Sequence, residues 1–415
     1  MQTNLAKRFK ESQSAEAIES ILRSCVHCGF CNATCPTYQL RGDELDGPRG
    51  RIYQMKQYFE GAPANKEMQL HLDRCLTCRS CETTCPSGVN YSHLLEIGRE
   101  SIEKDLPRSV SQRGLRWAIT EFLNSGWIFK FSVQAIQKCR WFLPQKLTES
   151  IPMAKPPIAE VIGQNERQVL MLSGCVQPAL APNTNAAAKQ LLHRLGLSVI
   201  EISQNSCCGA VGMHTSQIEQ GKAQARRLID AWWPKIELGV EAIVFTASGC
   251  GVSIKDYGNI FKGEVGYAEK GQAISDLALD LSQLVSREMA DKNFTIDDAS
   301  DGPKRVAFHT PCTMQHALGL KGVVEKILVN AGFQLCHVAD SHLCCGSAGT
   351  YSILQPEISK QLQSNKQMAL TVDSPEVIAT ANIGCQLQIG TGSQVPVVHW
   401  IELLNDSLKI ESINS

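Results

Sequence analysis

The sequence predicts a multidomain α+β protein, in which a mostly α-helical N-terminal domain precedes two repeated α/β domains with parallel sheets. Three observations support this fold class. The N-terminal part holds two copies of one cysteine motif between short helical patterns. Farther along, a pattern of paired cysteines occurs twice, with Cys175 and Cys312 marking an offset of 137 residues. Within each copy, apolar runs alternate with helical stretches, which is typical of parallel strands joined by helices. The predicted segments are an N-terminal domain, a linker and two repeats, at 1–105, 106–165, 166–300 and 301–415.

Composition excludes several classes of function. The chain has 415 residues, 43% of them hydrophobic, and a net charge of −1 from 40 basic and 41 acidic residues. This balance gives no electrostatic footprint for nucleic acid. No apolar run is long enough to span a membrane, and the start of the chain lacks the apolar core of a signal peptide. The 18 cysteines fall in metal-ligand spacings, so we expect a reducing compartment, the cytoplasm.

One cysteine motif occurs twice in the N-terminal domain, as Cys25-x2-Cys28-x2-Cys31-x3-Cys35-Pro36 and Cys75-x2-Cys78-x2-Cys81-x3-Cys85-Pro86. It is the run of two-cluster bacterial ferredoxins, in which three cysteines hold one [4Fe–4S] cluster and the fourth ligates the other. The predicted ligands of the first cluster are Cys25, Cys28, Cys31 and Cys85. Those of the second cluster are Cys75, Cys78, Cys81 and Cys35. A zinc site would need only four ligands, and a disulfide framework suits a secreted chain, so two complete copies favour a two-[4Fe–4S] ferredoxin-like domain.

The rest of this domain is predicted to be helical. Helical patterns cover 13–24, 49–59 and 93–104, and Gly47-Pro48 breaks the chain before the second of these. Pro36 and Pro86 are each expected to end the local structure and to hold the preceding cysteine in an extended conformation.

The linker at 106–165 is rich in aromatic and basic residues. Trp117, Trp127 and Trp141 lie here among arginines and lysines, and four prolines follow. Such a stretch can lie on a membrane surface, here the cytoplasmic face of the bacterial inner membrane. The alternative is that these aromatic side chains pack between the two halves of the protein.

The internal repeat places its cysteines at the ends of predicted strands. Each copy contains an apolar run ending at a first cysteine, a second run before the string CCG, and a third run ending in Gly-Cys. Open α/β sheets bind ligands at the carboxyl ends of their strands. The repeated cysteines therefore define two candidate sites: Cys175, Cys207, Cys208 and Cys250 in the first copy, and Cys312, Cys344, Cys345 and Cys385 in the second.

Adjacent cysteines can face one site only on a sharp turn, which the glycine after them permits. Converging thiolates are consistent with iron–sulfur chemistry, zinc or a redox disulfide, and buried structural cysteines are the alternative. Three histidines lie near the second set, His309, His316 and His342. Each could adjust a bound cluster or move protons for a quinone, or could be an ordinary satisfied histidine.

These motifs together resemble a known family. The double ferredoxin motif joined to two CCG repeats is similar to the iron–sulfur subunits of flavin-linked 2-hydroxy-acid and glycerol-3-phosphate dehydrogenases and to heterodisulfide reductase. Within that group the sequence most resembles the glycolate oxidase (glycolate dehydrogenase) iron–sulfur subunits. The strings that carry the likeness are RGDELDGPRGRIY, DRCLTCRSCETTCPSGV, DAWWPKIELGVEAI, TASGCG, DSHLCCGSAGTY and ANIGCQ. One departure is that the fuller CCG motif ends in Cys-x2-Cys, whereas Ser253 and Gln388 stand at the final position here.

The resemblance implies an electron-transfer subunit of a glycolate dehydrogenase, an acceptor-dependent oxidoreductase. FAD-containing partner subunits would oxidise glycolate to glyoxylate, and this chain, without catalytic residues of its own, would pass electrons toward the quinone pool. Its cofactors would be two [4Fe–4S] clusters, and the resemblance does not extend to a further cluster or metal at the CCG sites. Alternatives are the corresponding subunit of a lactate or glycerol-3-phosphate dehydrogenase, a cluster-based sensor, and a thiol–disulfide reductase acting at the CCG sites.

Overall fold

The structure is a computed structural model that describes residues 1–144, 148–149, 151–153, 155–159, 163–202, 207–290, 295–296 and 304–409. The predicted fold class is confirmed: a helical N-terminal domain is followed by two α/β repeats, each with a parallel four-stranded sheet. The predicted boundary between 300 and 301 lies outside the described residues.

The N-terminal domain consists of short helices around the cysteine loops. The three predicted helices form at Ala15–Ser24, Pro48–Phe59 and Tyr91–Asp105. The other helical segments are Lys7–Lys10, Phe30–Ala33, Pro36–Arg41, the 3-10 turn Glu44–Asp46, Lys66–Asp73 and Ser80–Thr84. Leu22, Met55 and Leu94 are fully buried where the three longer helices meet. Gly98 permits their close approach, because a Cβ atom there would lie 2.5 Å from the Met55 sulfur.

The prediction for Pro36 is wrong in one respect. Cys35 is extended, with φ −83° and ψ 115°, as expected. Pro36, however, begins the helix Pro36–Arg41 and does not end the local structure. Proline is well suited to the first turn of a helix, because its missing N–H would have no partner there and its φ is already helical.

Two helices form the segment after the N-terminal domain, Val110–Asn124 and Trp127–Lys138, followed by a 3-10 turn at Arg140–Phe142. Their aromatic side chains mostly face solvent, and Trp127 and Trp141 are 77% and 80% exposed. Phe129 is buried, so this side chain packs inside the protein, whereas Trp127 and Trp141 do not. Within the described ranges, no helix combines the length and hydropathy needed to cross a bilayer.

The first repeat contains a parallel sheet with the strand order β2-β1-β3-β4. Its strands are β1 (Arg167–Met171), β2 (Leu197–Glu201), β3 (Ile243–Phe245) and β4 (Ala278–Asp280). The register pairs Val169 with Val199 and Leu170 with Ile243. Helices cover both faces of the sheet, at Gln177–Leu180, Pro182–Arg194, Ala210–His214, Ile218–Ile236, Ser248–Lys255, Tyr257–Ile260, Ala268–Leu277 and Leu281–Met289.

The second repeat has the same topology, with the strand order β7-β6-β8-β9. Its strands are β6 (Arg305–His309), β7 (Gln334–Leu335), β8 (Val377–Thr380) and β9 (Val397–His399). A separate antiparallel pair joins β5 (Thr295–Ile296) to β10 (Leu408–Lys409). The helical segments are the π-helix Thr313–Ala317 and the helices Val323–Asn330, Tyr351–Leu354, Pro356–Thr371, Ile383–Gly390 and Trp400–Ser407.

One hydrophobic core joins the two repeats. Leu191 of the first repeat and Leu328 and Trp400 of the second belong to the same buried cluster. Polar contacts cross the same interface, since Thr184 donates to Glu402 at 2.8 Å. Because this core is continuous, the two sheets hold their carboxyl ends in a fixed relation.

Candidate functional site

The first cysteine loop turns sharply around Cys28. His27 and Gly29, on either side of it, have left-handed backbone conformations, with φ of 58° and 85°. These turns bring the thiols of Cys25, Cys28 and Cys31 to one small cavity, and Cys85 from the second motif lines the same cavity.

The second loop repeats this geometry with different residues. Thr77 and Arg79 flank Cys78 with φ of 53° and 59°. Its cavity is lined by Cys35, Cys75, Cys78 and Cys81. The fourth cysteine of each motif therefore lies beside the other motif's three, which is the crossed arrangement that the sequence predicts. The ligand assignment itself stays a prediction.

Burial and mutual repulsion make these two groups of thiols good sites for iron. All 18 cysteines are free thiols. Burial, and then the proximity of Cys25 and Cys28, raises the pKa of Cys31 to about 11. Burial also raises the pKa of Cys78 and Cys81 well above the usual value. Bound iron supplies the positive charge that such crowded thiolates need, so the residues fit two [4Fe–4S] clusters.

A buried ion network lies beneath the second cysteine group, and the sequence analysis did not identify it. Asp46, with a fully buried side chain, is within 2.7 Å of Arg41 and 3.0 Å of Arg74. Its other oxygen lies 2.8 Å from His71 Nδ1 and 3.7 Å from Arg51. Arg41, Asp46 and Arg51 lie in the string RGDELDGPRGRIY, which has no charge pattern that indicates burial.

Arg51 connects this network to the second cysteine group. Its side chain is 1% exposed and donates to Thr37 at 3.2 Å, and the hydroxyl of Thr37 is 3.3 Å from Cys35 Sγ. Burial alone would lower the pKa of Arg51, but Tyr91 and Cys75 raise it overall. A permanent cation beside thiolates favours the reduced, more negative state of whatever they bind.

In both repeats the CCG strings form the sharp turn that the sequence predicts. Gly209 and Gly346 have φ of 83° and 87°. Each glycine N–H donates to the sulfur of the first cysteine of its pair at 3.4 Å, to Cys207 in one repeat and Cys344 in the other. A Cβ atom at Gly346 would lie 2.6 Å from the carbonyl oxygen of Ser359, so only glycine fits this turn.

The second cysteine loop of the N-terminal domain packs against the second repeat. Cys78 and Leu76 belong to one buried cluster with Cys312 and Cys344. Tyr351 belongs to the same cluster and donates to the Arg74 carbonyl at 3.0 Å. The Cys312 and Cys344 sulfurs are 3.8 Å apart. Cys312 directly precedes the π-helix Thr313–Ala317, an element frequent at functional sites.

The two candidate CCG sites form the walls of one central cavity of about 1210 Å³. All eight repeat cysteines line it: Cys175, Cys207, Cys208, Cys250, Cys312, Cys344, Cys345 and Cys385. The N-terminal domain contributes Thr77, Arg79 and Glu96 to the same wall. Surrounding protein, and then the charge of Asp256, raises the pKa of Glu96 to about 7. Neither this cavity nor Glu96 had a signal in the sequence, because the wall is formed by the N-terminal domain, the segment after it and both repeats.

The histidines near the second set differ in their surroundings. His316 is paired, with Nδ1 2.9 Å from Thr83 Oγ1 and Nε2 3.2 Å from the His342 carbonyl. His309 is 1% exposed and neither ring nitrogen has a hydrogen-bond partner among the described residues. Gln388, at the position of the missing motif cysteine, donates instead to Ser359 Oγ at 2.9 Å.

Two cysteine groups suited to [4Fe–4S] clusters, beside two cysteine-rich α/β domains, define an iron–sulfur electron-transfer protein. The chain matches the 4Fe-4S dicluster domain family over residues 21–89 and the cysteine-rich domain family, CCG, over 169–255 and 306–390.

Comparison with individual relatives narrows this class of protein to one family. The chain is 49% identical to the glycolate oxidase iron-sulfur subunit of Escherichia coli, covering 99% of this chain and all of the relative. It is 29% identical to a probable glycolate oxidase iron-sulfur subunit of Bacillus subtilis, over 96% of both chains. Lactate utilization protein A of Exiguobacterium is 26% identical over 58% of this chain and 98% of its own length. The chain therefore belongs to the family of glycolate oxidase iron–sulfur subunits, an oxidoreductase family, and it carries [4Fe–4S] clusters.

Proposed function

We propose that this chain transfers electrons from a partner flavoprotein that oxidises glycolate to glyoxylate, and that the quinone pool is the acceptor. The observation that carries the proposal is the shared wall: the second cysteine loop, through Thr77 and Arg79, borders the same cavity as the repeat cysteines. A site for electrons and a space for a ligand thus lie side by side. Family membership supports glycolate as the substrate of the partner.

The eight motif cysteines would hold the two clusters in the crossed arrangement: Cys25, Cys28, Cys31 and Cys85 for the first, and Cys75, Cys78, Cys81 and Cys35 for the second. When bound, the clusters supply one-electron redox centres between a two-electron donor and a two-electron acceptor. Cys81 lines both small cavities, so the two groups are adjacent.

The first cysteine group faces outward and suits the flavoprotein. Cys28 is exposed, and beside it Val26 and Phe30 are 66% and 60% exposed. Exposed apolar side chains around a redox site provide a surface for a partner protein. We place the FAD-containing subunit on this face.

The central cavity suits the acceptor. Its volume of about 1210 Å³ is larger than the roughly 300–1,000 Å³ of ordinary small-molecule pockets, and its mainly apolar lining leaves room for a large organic ligand. Glu96, which holds its proton up to about pH 7, is positioned to donate it to a reduced quinone. The repeat 1 thiols Cys207 and Cys208 face the same space.

Peripheral attachment to the cytoplasmic face of the inner membrane would bring the chain to the quinone pool. The helices Val110–Asn124 and Trp127–Lys138 present exposed tryptophans. Of the six basic residues in 108–144, Arg108 and Arg116 pair with Asp73, whereas Arg113, Lys130 and Lys138 are exposed. This combination favours an anionic lipid surface. The domain bounds proposed for the chain are 1–105, 106–165, 166–300 and 301–415, and the surface for membrane attachment lies in the second of these segments.

A Cys208→Ser variant of the assembled complex tests the order of transfer. Glycolate should still bleach the iron–sulfur absorbance, because the path from the flavin is unchanged, whereas quinone reduction should fall at least about tenfold. Cys139→Ser, at an exposed cysteine outside the motifs, is the matched control. Normal quinone reduction by a folded Cys208→Ser complex would make that thiol structural and remove the repeats from the route.

Two other candidate functions have specific support. The lactate utilization relatives favour lactate as an alternative substrate of the partner, so bleaching by lactate in place of glycolate would reassign the complex. Contact among Cys207, Cys208 and Cys250 favours a thiol–disulfide reductase. Disulfide turnover by the purified chain without a flavoprotein would support that function against the proposed one.

A further inference from the structure

We propose that the second repeat binds one thiophilic divalent cation of the zinc class, with His309, Cys345 and Cys385 as ligands. The three ligand atoms lie within 4.8 Å of one another, and all three residues are buried. Ligands of one tetrahedral zinc lie roughly 3.3–3.8 Å apart, given Zn–S near 2.3 Å and Zn–N near 2.0 Å. Small side-chain movements therefore bring this group around an ion.

The burial and hydrogen bonding of the His309 imidazole support its role as a metal ligand. The side chain ends strand β6, is 1% exposed, and has no hydrogen-bond partner at either ring nitrogen among the described residues. A buried unpaired polar group destabilises the folded state, so native proteins retain one mainly where an ion or ligand satisfies it. Two thiols lie within reach, and imidazole with thiolates is the donor set that zinc prefers.

The two repeats differ at this position. At the offset of 137 residues that relates Cys175 to Cys312, Leu172 stands where the second repeat has His309. Leu172 is 3% exposed and packs in the apolar core of its own repeat. The fold therefore accommodates an apolar side chain here, and histidine in the second repeat is not required by packing.

Neighbouring groups favour bound thiolates. Asn382 Nδ2 donates to Cys385 Sγ at 3.5 Å, and Lys366, a buried cation, interacts with Cys344, Cys345 and Cys385. Cys344 contacts Cys345 and lies at the edge of this three-ligand group. Gln388, at the position of the missing motif cysteine, donates to Ser359 Oγ, and His309 supplies the nitrogen donor of the group.

The test is metal analysis of the full-length protein, purified with its iron, combined with zinc-edge X-ray absorption, which does not detect iron. We expect one zinc per chain, with sulfur ligands and one imidazole. His309→Leu, which introduces the residue of the first repeat, should bind zinc at least about 100-fold more weakly, because losing even an outer partner of a metal-bound histidine costs about 10–100-fold. His309→Cys should retain the zinc with an all-sulfur shell. His342→Leu, two residues before Cys344, is the matched control and should retain the wild-type shell.

Three results would overturn the proposal: no stoichiometric zinc in the wild type, unchanged zinc affinity in His309→Leu, or iron in place of zinc at this site. If His309→Leu does not fold, the imidazole in the wild-type absorption spectrum and its replacement by sulfur in His309→Cys decide the question. Since the readout is bound zinc, it is independent of the proposed electron transfer. Failure of quinone reduction with zinc present would count against the proposed function alone.

Discussion

Replacing Asp46 by asparagine should destabilise the N-terminal domain far more than an equivalent change at the surface. Asp46 is fully buried and contacts Arg41, Arg74 and His71 within 3.0 Å, while Arg51 beside it is 1% exposed. Asparagine keeps the shape but leaves buried cationic groups uncompensated. Breaking a buried ion pair in this way costs about 3–5 kcal/mol. With a slope of about 2 kcal/mol per M urea, the unfolding midpoint should fall by about 1.5–2.5 M.

Anaerobic urea unfolding, followed by circular dichroism and by loss of cluster absorbance, measures this effect. Glu44→Gln is the matched control, because the Glu44–Arg49 pair is equally short, 2.7 Å, but its side chains are 40% and 35% exposed. An exposed pair contributes about 0–1 kcal/mol, so the control should move the midpoint by less than about 0.5 M. The second cluster should be lost first in Asp46→Asn, since Arg51 lies between Asp46 and that cysteine group. Equal shifts in the two variants would refute the argument that burial makes this network essential.

Three further predictions concern the clusters, the cavity and the membrane. Cys85→Ser should lower the iron content from about eight to about four atoms by removing the cluster at Cys25, and loss of the other cluster instead would refute crossed ligation. Quinone reduction should decline as the pH rises through about 7, because Glu96 then loses the proton that it donates. The Glu96→Gln variant should reduce quinone slowly and at a rate independent of pH, whereas a Glu100→Gln control should keep the decline. A decline that persists in Glu96→Gln would assign the proton to another group. The double variant Trp127→Ser/Trp141→Ser should bind anionic vesicles at least about tenfold more weakly than the wild type, as measured by sedimentation. The control Val265→Ser, at a 96% exposed site elsewhere, should bind them normally. Equal binding by the wild type, the double variant and the control would contradict a lipid-facing role for the tryptophans.

Part of this architecture follows from local spacing. Three cysteines within seven residues can reach one cubane only around a tight turn, so the two loops were predictable, although Arg79 adopts the conformation that Gly29 has in the first loop. The helices at 15–24, 48–59 and 91–105 were predictable because their apolar residues recur on one face over several turns. The internal repeat in the sequence predicted two parallel sheets. The strands β4 and β9 could not be predicted, because each has only three residues, too few for a recognisable pattern.

The sequence by itself determined the chemistry of the protein: eight cysteines in cluster spacing, and two further sets of four at the ends of predicted strands. Only the tertiary structure decided their surroundings. It buried Asp46 against Arg51 and joined the two cysteine sets in one cavity with Glu96. It also left the imidazole of His309 without a hydrogen-bond partner among the described residues. Ligand spacing is set by covalent geometry within a few residues, so it can be read along the chain. Burial and pairing depend on segments tens to hundreds of residues apart, whose proximity is fixed only when the three domains pack together.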